Sequence, residues 1–280
     1  MSRITKGLYH KKIIVNMNNK ELDIHITKYN QNLNKNLTLL LSKVSEAIVP
    51  NKPNNHIGEG STMNEFIKHQ QGVRFIINGG FSHYRKNFYE WSHQDYNVGD
   101  PVGVVKIREH IFEDFQETSN YGYLVQKEKG KLWAIESSKP IGDYKYILGC
   151  TPLLIMNKIK LKLPKEKMIP AAIGTINPPS ILGHGMQDHP RTAVGIKNDS
   201  IYFITVSTMD GTSGCNLIDL QEIGYALKLD AFLNLDGGGS SQYQLKHNLK
   251  TIKNTVAKED ENRILGHVIV IFDETLKNKS

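Results

Sequence analysis

The sequence is poor in cysteine and in long apolar runs, and each shortage excludes a class of protein. Only two cysteines occur among the 280 residues, Cys150 and Cys215, and they have no paired spacing. We therefore expect neither a disulfide framework nor a cysteine-rich zinc site. No stretch approaches the roughly 20 apolar residues of a membrane span, and residues 1–20 lack the apolar core of a signal peptide. The sequence therefore predicts a cytoplasmic protein that does not cross a membrane.

What is present is typical of a globular, loop-rich protein with a basic surface. The hydrophobic content of 39% and the 280 residues are enough for one large domain or two small ones. The formal net charge of +7 favours an anionic partner, such as a phosphate-bearing sugar, a nucleotide or a nucleic acid. A surface that is simply rich in lysine explains the same charge equally well, so charge alone does not decide the function.

Alternating and apolar segments predict many strands and few helices. Several hairpins are expected, among them one turning at Asn18-Asn19 and one at Asn198-Asp199. The apolar segment 267–272 is typical of a strand at the centre of a sheet. The clearest helix covers residues 216–229, where an asparagine and an aspartate three residues apart resemble a capping box.

These elements predict an α+β fold, with mixed, mostly antiparallel sheets and a few flanking helices. Because the sequence shows neither an internal repeat nor a linker, we expect a single domain over residues 1–280. Residues 1–60 would form an N-terminal hairpin and loop region, and residues 61–275 the core that carries the motifs. A long irregular loop is expected over residues 84–101, next to the first motif.

Three separated segments combine glycines, apolar strands and one polar side chain each: 76–81 (IINGGF), 189–196 (HPRTAVGI) and 234–241 (NLDGGGSS). In the first and third, an apolar strand runs into glycines with Asn78 or Asp236 at its end. This arrangement brings a backbone close to a ligand and aims an amide or a carboxylate at it. The second contributes Arg191, a planar and permanently charged partner for a phosphodiester.

The glycine run 237–239 does not belong to a known nucleotide-binding motif. A dinucleotide-binding G-x-G-x-x-G opens a helix, and a P-loop ends in Gly-Lys-Ser/Thr. Here the chain continues through 240–245 with the alternation of a strand. One interpretation is a nest of backbone N–H groups, with two serine hydroxyls, that binds phosphate or sugar oxygens. The alternative is a tight turn in which Asp236 caps its own backbone.

The other motifs also have ordinary interpretations. Asn78-Gly79 is a common hairpin turn, and a surface salt bridge would explain Arg191 by itself. His184, Asp188 and His189 suggest a metal site, but their spacing matches no familiar ligand set. We therefore predict no metal and no cofactor.

Taken together and in this order, the three motifs resemble the phosphodiester glycosidase family. The resemblance extends over nearly the whole chain and includes the glycine-proline segment 149–152. The chain departs from the family after Asp210, where residues 212–214 replace an arginine and a longer loop, and at residues 82–83, where a second aromatic is usual. Both departures lie near the expected pocket.

The resemblance implies a hydrolase that cleaves the glycosidic bond between a sugar and a phosphodiester or phosphate-linked group. The expected substrate is a small intracellular molecule, a phosphate-bearing sugar or a nucleotide, while a nucleic acid is possible but not favoured. Asp236 is the first choice for nucleophile or water-activating base, Asp210 is the alternate, and His189 is a helper. The expected substrate-binding residues are Asn78, Gly79, Gly80, Arg191, Thr192, Gly237, Gly238, Gly239, Ser240 and Ser241. Two other functions stay open, a binding protein that captures a phosphorylated sugar or nucleotide without turnover and a metal-dependent phosphodiesterase.

Overall fold

The computed structural model describes residues 1–33, 36–41, 61–68, 70–82, 101–108, 110–114, 121–129, 132–163, 165, 184–247, 250–255 and 263–273. The predicted loop over 84–101, apart from Pro101, lies outside these ranges. Neither helix in the described part of the chain is long or apolar enough to cross a membrane. The division of the chain into domains stays a prediction.

The fold is predominantly β. Every strand pair in the described ranges is antiparallel, and two α-helices accompany the strands, α1 (Met63–Lys68) and α2 (Leu217–Ala226). The prediction of mostly antiparallel sheets with few helices is confirmed. The α+β class is corrected, because antiparallel strands joined by hairpins need no helical crossover, so helices stay few.

An eight-stranded sheet, here called sheet 1, is the largest element of the molecule. Across the sheet its strands are β1 (Ser2–Thr5), β2 (Leu8–Met17), β3 (Lys20–Asn30), β15 (Ser200–Thr208), β14 (Arg191–Lys197), β16 (Ala231–Asn234), β12 (Leu153–Met156) and β13 (Ile159–Lys160). The β2–β3 hairpin turns at Asn18-Asn19 and the β14–β15 hairpin at Asn198-Asp199, so both predicted hairpins are confirmed. Asn18, Asn19 and Asn198 have positive φ, a conformation that asparagine tolerates better than most residues.

Two five-stranded sheets complete the frame. Sheet 2 consists, in order, of β10 (Trp133–Glu136), β9 (Gly122–Lys127), β11 (Tyr144–Cys150), β7 (Gly103–Ile107) and β8 (His110–Asp114). Sheet 3 consists of β18 (Lys250–Thr255), β17 (Gln242–His247), β6 (Val73–Asn78), β20 (His267–Phe272) and β4 (Leu37–Leu41). A short pair, β5 (Ser61–Thr62) and β19 (Ile264–Leu265), lies beside α1. The strand predicted over 267–272 lies inside sheet 3, as expected.

Sheet 1 is covered on both faces. On one face, Phe203 and Leu233 join a core cluster with residues of sheets 2 and 3, such as Leu148 and Phe75. On the other face, Phe232 packs against α2, where a Cβ added to Gly224 would lie 2.2 Å from the Phe232 ring. The neighbouring residues Phe232 and Leu233 of β16 therefore pack into cores on opposite faces of the sheet, as the alternation of side chains along a strand requires.

Helix α2 begins as predicted and ends earlier. The Asn216 side-chain oxygen accepts hydrogen bonds from the backbone N–H groups of Ile218 and Asp219, both at 2.9 Å, which caps the helix. The helix ends at Ala226 rather than at residue 229, because Lys228 adopts a positive φ and turns the chain toward β16. This helix places its N-terminus beside the segment that carries Arg191.

Candidate functional site

The three motifs meet where β6, β14 and β16 come together. The Asn78 side-chain amide donates to the carbonyl oxygen of Asp236 at 2.9 Å, and the Asp236 N–H donates to the Gly79 carbonyl at 3.2 Å. The Leu235 N–H donates to the Thr192 carbonyl at 2.9 Å. Asn78, Arg191 and Asp236 are therefore brought together, as the sequence predicted.

Asn78 organises this junction and has no atom left for a ligand. Its side chain is fully buried. The amide group donates to the carbonyls of Asp236 and Gly79, and its oxygen accepts from the Thr192 hydroxyl at 2.9 Å and the Gln242 N–H at 3.2 Å. These four bonds use every donor and acceptor of an asparagine amide. Asn78 and Thr192, predicted to bind substrate, tie the three motifs to one another instead.

Gly79 and Gly80 allow close packing and donate their N–H groups internally. The Gly79 N–H donates to the His267 carbonyl at 3.1 Å, and the Gly80 N–H to His267 Nε2 at 2.9 Å. A Cβ on Gly79 would lie 2.4 Å from the His267 ring. Burial lowers the pKa of His267 to about 4, so the ring stays neutral and can accept this bond. The predicted role of these amides as substrate donors is therefore replaced by a packing role.

A cavity of about 200 Å³ opens at the junction. Its walls combine a carboxyl group, a guanidinium group, two imidazoles and one aromatic ring, and they consist of Phe81, His184, Gly185, His189, Arg191, Leu217, Asn234, Asp236, Gly237 and Gly238. Few cavities bring opposite charges and two imidazoles to one small volume, which makes this the candidate site.

Asp236 lies partly exposed in the wall of the cavity. Desolvation raises the pKa of its carboxyl group to about 6, and this effect is opposed by hydrogen bonds from Ser240 and Gly237 and by the charges of Arg263 and Arg191. The Gly237 N–H lies 2.9 Å from Asp236 Oδ1. A carboxyl group with this pKa is largely ionised at pH 7 and still basic enough to take a proton from water.

Two of the three guanidinium nitrogens of Arg191 donate hydrogen bonds to the protein itself. The residue is 7% exposed, with Nε donating to the Cys215 carbonyl at 2.9 Å and Nη2 donating to the carbonyls of His184 and Gln187, both at 2.8 Å. Burial lowers the pKa of the guanidinium, and the nearby thiol and carboxylates of Cys215, Asp188 and Asp236 oppose this shift. In the described part of the chain, Nη1 has no hydrogen-bond partner. The role of Arg191 as a partner for a phosphodiester stays a prediction, and Nη1 is the nitrogen of its guanidinium that the protein leaves available for it.

Two histidines face each other across Gln187. The Gln187 side-chain oxygen lies 2.7 Å from His184 Nδ1 and 3.0 Å from His189 Nε2, and the two rings are edge-to-face with centroids 5.4 Å apart. Because an amide oxygen only accepts, each ring donates its N–H there and keeps a lone pair on its other nitrogen. Burial lowers the pKa of His189, Arg191 and His184 add to this effect, and Asp188 opposes it.

The glycine loop, residues 237–239, leads into a 3₁₀ turn over Gly238–Ser240. Two of its backbone N–H groups donate hydrogen bonds within the protein. The Gly237 N–H donates to its neighbour Asp236, and the Gly238 N–H donates to the Pro190 carbonyl at 2.8 Å. Ser240 and Ser241 are 3% and 1% exposed. Of the predicted nest of three glycine amides, the Gly239 N–H alone lacks a hydrogen bond to a described residue.

Asp210 lies apart from the cavity. It follows β15 in an exposed turn, where its carboxylate accepts from the Thr208 hydroxyl at 2.6 Å and the Thr212 N–H at 3.1 Å. These hydrogen bonds lower its pKa to about 2. Asp210 is not among the residues that line the cavity. Its proposed role as the alternate catalytic carboxylate is therefore not supported, because its oxygens already cap a turn.

Sequence reasoning did not assign a function to His184 beyond a metal ligand, and it missed Gln187 and His267. His184 precedes the second motif by five residues, and a histidine this close to a glycine-rich site was a usable signal. His267 gave none, because it opens an otherwise apolar strand. In the described residues, no group of three histidine, cysteine or acidic side chains is placed to hold a metal ion.

Comparison with known sequences gives one family. A family model described as phosphodiester glycosidase matches residues 71–272. No curated protein sequence is significantly similar to the chain.

Comparison with solved structures gives the fold. The chain is similar to the catalytic domain of zebrafish N-acetylglucosamine-1-phosphodiester alpha-N-acetylglucosaminidase, auto-inhibited by its pro-peptide, with a TM-score of 0.66 and 13% identity over 96% of this chain and 85% of that one. It is also similar to a hypothetical protein from Synechocystis, with a TM-score of 0.57 and 12% identity over 95% of this chain and 62% of that one. A putative exported protein from Burkholderia pseudomallei has a TM-score of 0.54 and 11% identity over 90% of this chain and 74% of its own. At these identities the likeness shows a shared fold.

Proposed function

The chain belongs to the phosphodiester glycosidase family, and from this premise we propose that it hydrolyses the bond between a sugar and a phosphodiester or phosphate-linked group. The observation that carries the proposal is the cavity in which Asp236, Arg191 and two histidines meet. Such a set supplies a carboxylate for the sugar carbon, a cation for the departing phosphate and imidazoles for proton transfer.

One carboxylate is sufficient for this reaction. Glycosidases commonly use two, because an alkoxide leaving group must be protonated by a general acid. The leaving group here is a phosphomonoester, a much weaker base than an alkoxide, and it departs with the electron pair of the broken carbon–oxygen bond without taking a proton. Asp236 either attacks the anomeric carbon, and water then hydrolyses the resulting glycosyl ester, or it removes a proton from a water that attacks this carbon directly; in both cases the carbon–oxygen bond to the phosphate breaks.

Arg191 and His189 have supporting roles in this scheme. The Nη1 group of Arg191 faces the side of Gly237, whose added Cβ would lie 3.6 Å from that nitrogen, so it is placed to neutralise a phosphate beside the glycine loop. His189 lines the same cavity, and its lowered pKa keeps the ring neutral at pH 7. A neutral ring with one lone pair can orient a water molecule or a sugar hydroxyl.

The size of the cavity favours a small substrate. Its volume of about 200 Å³ is below the roughly 300–1,000 Å³ of sites for drug-sized ligands. This space suits one sugar ring, with Phe81 offering an apolar wall. The net charge of +7 supports an anionic molecule, and we propose an intracellular nucleotide- or phosphate-bearing sugar. The cytoplasmic setting stays a prediction, which fractionation of the producing cells would test by locating the native chain.

The test of the function is product identification. The purified chain is incubated with a panel of diesters of sugar 1-phosphates, including N-acetylglucosamine 1-phosphodiesters and nucleotide-linked sugars, and the products are read by mass spectrometry. Free sugar together with an intact phosphomonoester is the expected result. Sugar 1-phosphate as the product would show cleavage at phosphorus and contradict the proposal, and tight binding with no product would indicate a binding protein.

A further inference from the structure

The turn of the β2–β3 hairpin touches the segment that carries the site. Lys20 Nζ donates to Asp188 Oδ2, and the Asn18 side-chain amide donates to Asp219 Oδ1 at 2.7 Å. Asp188 directly precedes His189, and Asp219 lies in the first turn of α2. Two contacts therefore join the N-terminal hairpin to both sides of the Arg191 segment.

The hairpin is held in this place by the sheet. Strand β3 pairs with β15 over nine residues, ending at the pair Leu22 and Thr208. Beyond that pair the chain turns, and the Ser213 hydroxyl donates to the Asp188 carbonyl at 3.1 Å. The turn at Asn18-Asn19, the loop after β15 and Asp188 consequently meet at one point. The hairpin lies outside residues 71–272, the segment that matches the family.

Charge is concentrated at this contact. The Lys20 and Asp188 side chains are 33% and 32% exposed, and Asp219 is 5% exposed. Lys20 faces both carboxylates: the pKa of Asp219 is raised by burial and further by Asp188, and Lys20 opposes these effects. Asp188 Oδ1 is buried without a hydrogen bond, so its charge is balanced through Oδ2 and Lys20.

We propose that Lys20 is a positioning residue of the site, which screens the Asp188 carboxylate from His189 and holds the segment that carries Arg191. The charged and titratable groups facing His189 are Arg191, His184 and Asp188. Those facing Asp188 from other elements are Lys20 on the hairpin, Asp219 on α2, Arg191 on β14 and Cys215 just before α2, while Asp210 lies exposed in the loop after β15. The catalytic relevance of Lys20 rests on the proposed function, whereas its electrostatic effect on His189 does not.

The expected consequence has a definite sign. Without Lys20, Asp188 loses its ion-pair partner while Arg191 stays nearby, so more of the Asp188 charge acts on His189 and raises its pKa. Replacing Lys20 by methionine should raise the pKa of His189 by about half a unit to one unit. Lys20→Arg should restore the original value. Asp188→Asn should lower the pKa, and the double variant should return it toward that of the unaltered chain.

The experiment is an NMR titration of the full chain labelled with ¹⁵N-histidine, which needs no substrate. Lys12→Met is the matched control, because Lys12 lies on the same hairpin and pairs with Asp23 at 2.8 Å, away from the cavity. His267, buried in sheet 3, serves as the internal reference. A rise in the pKa of His189 in Lys20→Met but not in Lys12→Met is the expected result.

An unchanged pKa of His189 in folded Lys20→Met would overturn the proposal, and so would an equal rise in Lys12→Met. If Lys20→Met does not fold, Asp188→Asn serves as the test, and it should lower the pKa of His189 instead of raising it. Where the panel has found a substrate, the pH profile of turnover should shift in Lys20→Met and recover in Lys20→Arg. Absence of any turnover would count against the proposed function, while the titration would still decide the role of Lys20.

Discussion

Two clusters of titratable side chains in the described part of the molecule are built differently. The site cluster consists of Asp236, Arg191, His184 and His189 around the cavity. The hairpin cluster consists of His10, His25, Tyr243 and Asp23, packed where sheet 1 meets β17. Its Tyr243 hydroxyl lies 2.7 Å from His25 Nδ1, and His25 Nε2 lies 3.2 Å from Asp23 Oδ1.

In the hairpin cluster the polar groups are directed at other side chains, although Asp23 Oδ1 makes no hydrogen bond to a described residue. The Tyr243 hydroxyl donates to His25, which leaves the other ring N–H facing Asp23, and His10 Nδ1 lies 3.0 Å from the Thr27 hydroxyl. Burial lowers the pKa of both histidines and raises that of Tyr243, so all three rings stay neutral. The site cluster instead keeps Nη1 of Arg191 and the carboxyl group of Asp236 toward a cavity. Burial alone therefore does not identify a functional group. A buried group that lines a cavity and keeps a hydrogen-bond donor without a partner, as Arg191 does with Nη1, is the better candidate.

The largest loss of stability is expected at Arg191, where the site cluster also holds the fold. Arg191 donates hydrogen bonds to three carbonyls, and in Arg191→Lys the lysine ammonium group cannot reach all three at once. We expect the free energy of unfolding to fall by about 3 kcal/mol and turnover to be lost. Denaturant unfolding and product formation measure the two effects. Arg74→Lys is the control and should lose less, because the Arg74 side chain is 30% exposed and bonds a single carboxylate, that of Asp273; equal stability of the two variants would contradict the assignment.

A smaller loss, without loss of activity, is expected in the hairpin cluster. Tyr243→Phe leaves the His25 lone pair unpaired and should lower the free energy of unfolding by about 1–2 kcal/mol. Because Tyr243 does not line the cavity, the rate of product formation should stay close to that of the unaltered chain. Loss of turnover at unchanged stability would show that the hairpin cluster belongs to the site, and the comparison would fail.

Acid should weaken the fold through the buried histidines. The pKa values of His10 and His267 are about 4, against 6.5 in an unfolded chain, so unfolding takes up protons between those values. Stability is then full above pH 6.5 and falls as the pH drops toward 4. Asp236, whose pKa is raised to about 6, acts in the opposite direction over part of this window and offsets about one histidine.

The measurement is the unfolding free energy at several pH values between 7 and 4.5. His10→Gln should flatten the dependence, because it removes one of the groups that take up a proton on unfolding. A stability that is constant, or that rises on acidification, would contradict the stated pKa directions.

The sequence predicted the strands and the meeting of the motifs well, because both depend on local patterns. Alternation placed β3 and β15, and glycines after apolar strands located Asn78 and Asp236 at strand ends. The hydrogen-bond partners of the motif residues could not be predicted, because they come from distant segments of the chain. The Asn78 side-chain oxygen accepts from Thr192 and Gln242, and the Gly80 N–H donates to His267. Lys20 is a similar case, since nothing near it in sequence indicates Asp188.

The role of Asp236 as the carboxylate of the reaction can be tested by comparing the turnover of Asp236→Asn with that of Asp210→Asn. Both rates are measured between pH 4.5 and 8 on the phosphodiester that the panel identifies. If Asp236 has this role, Asp236→Asn should lose turnover by about 10³-fold or more. Asp210→Asn should keep a rate near that of the unaltered chain, and this rate should still fall below about pH 6 as Asp236 takes up a proton. Near-normal turnover in folded Asp236→Asn, or a large loss in Asp210→Asn alone, would contradict this role.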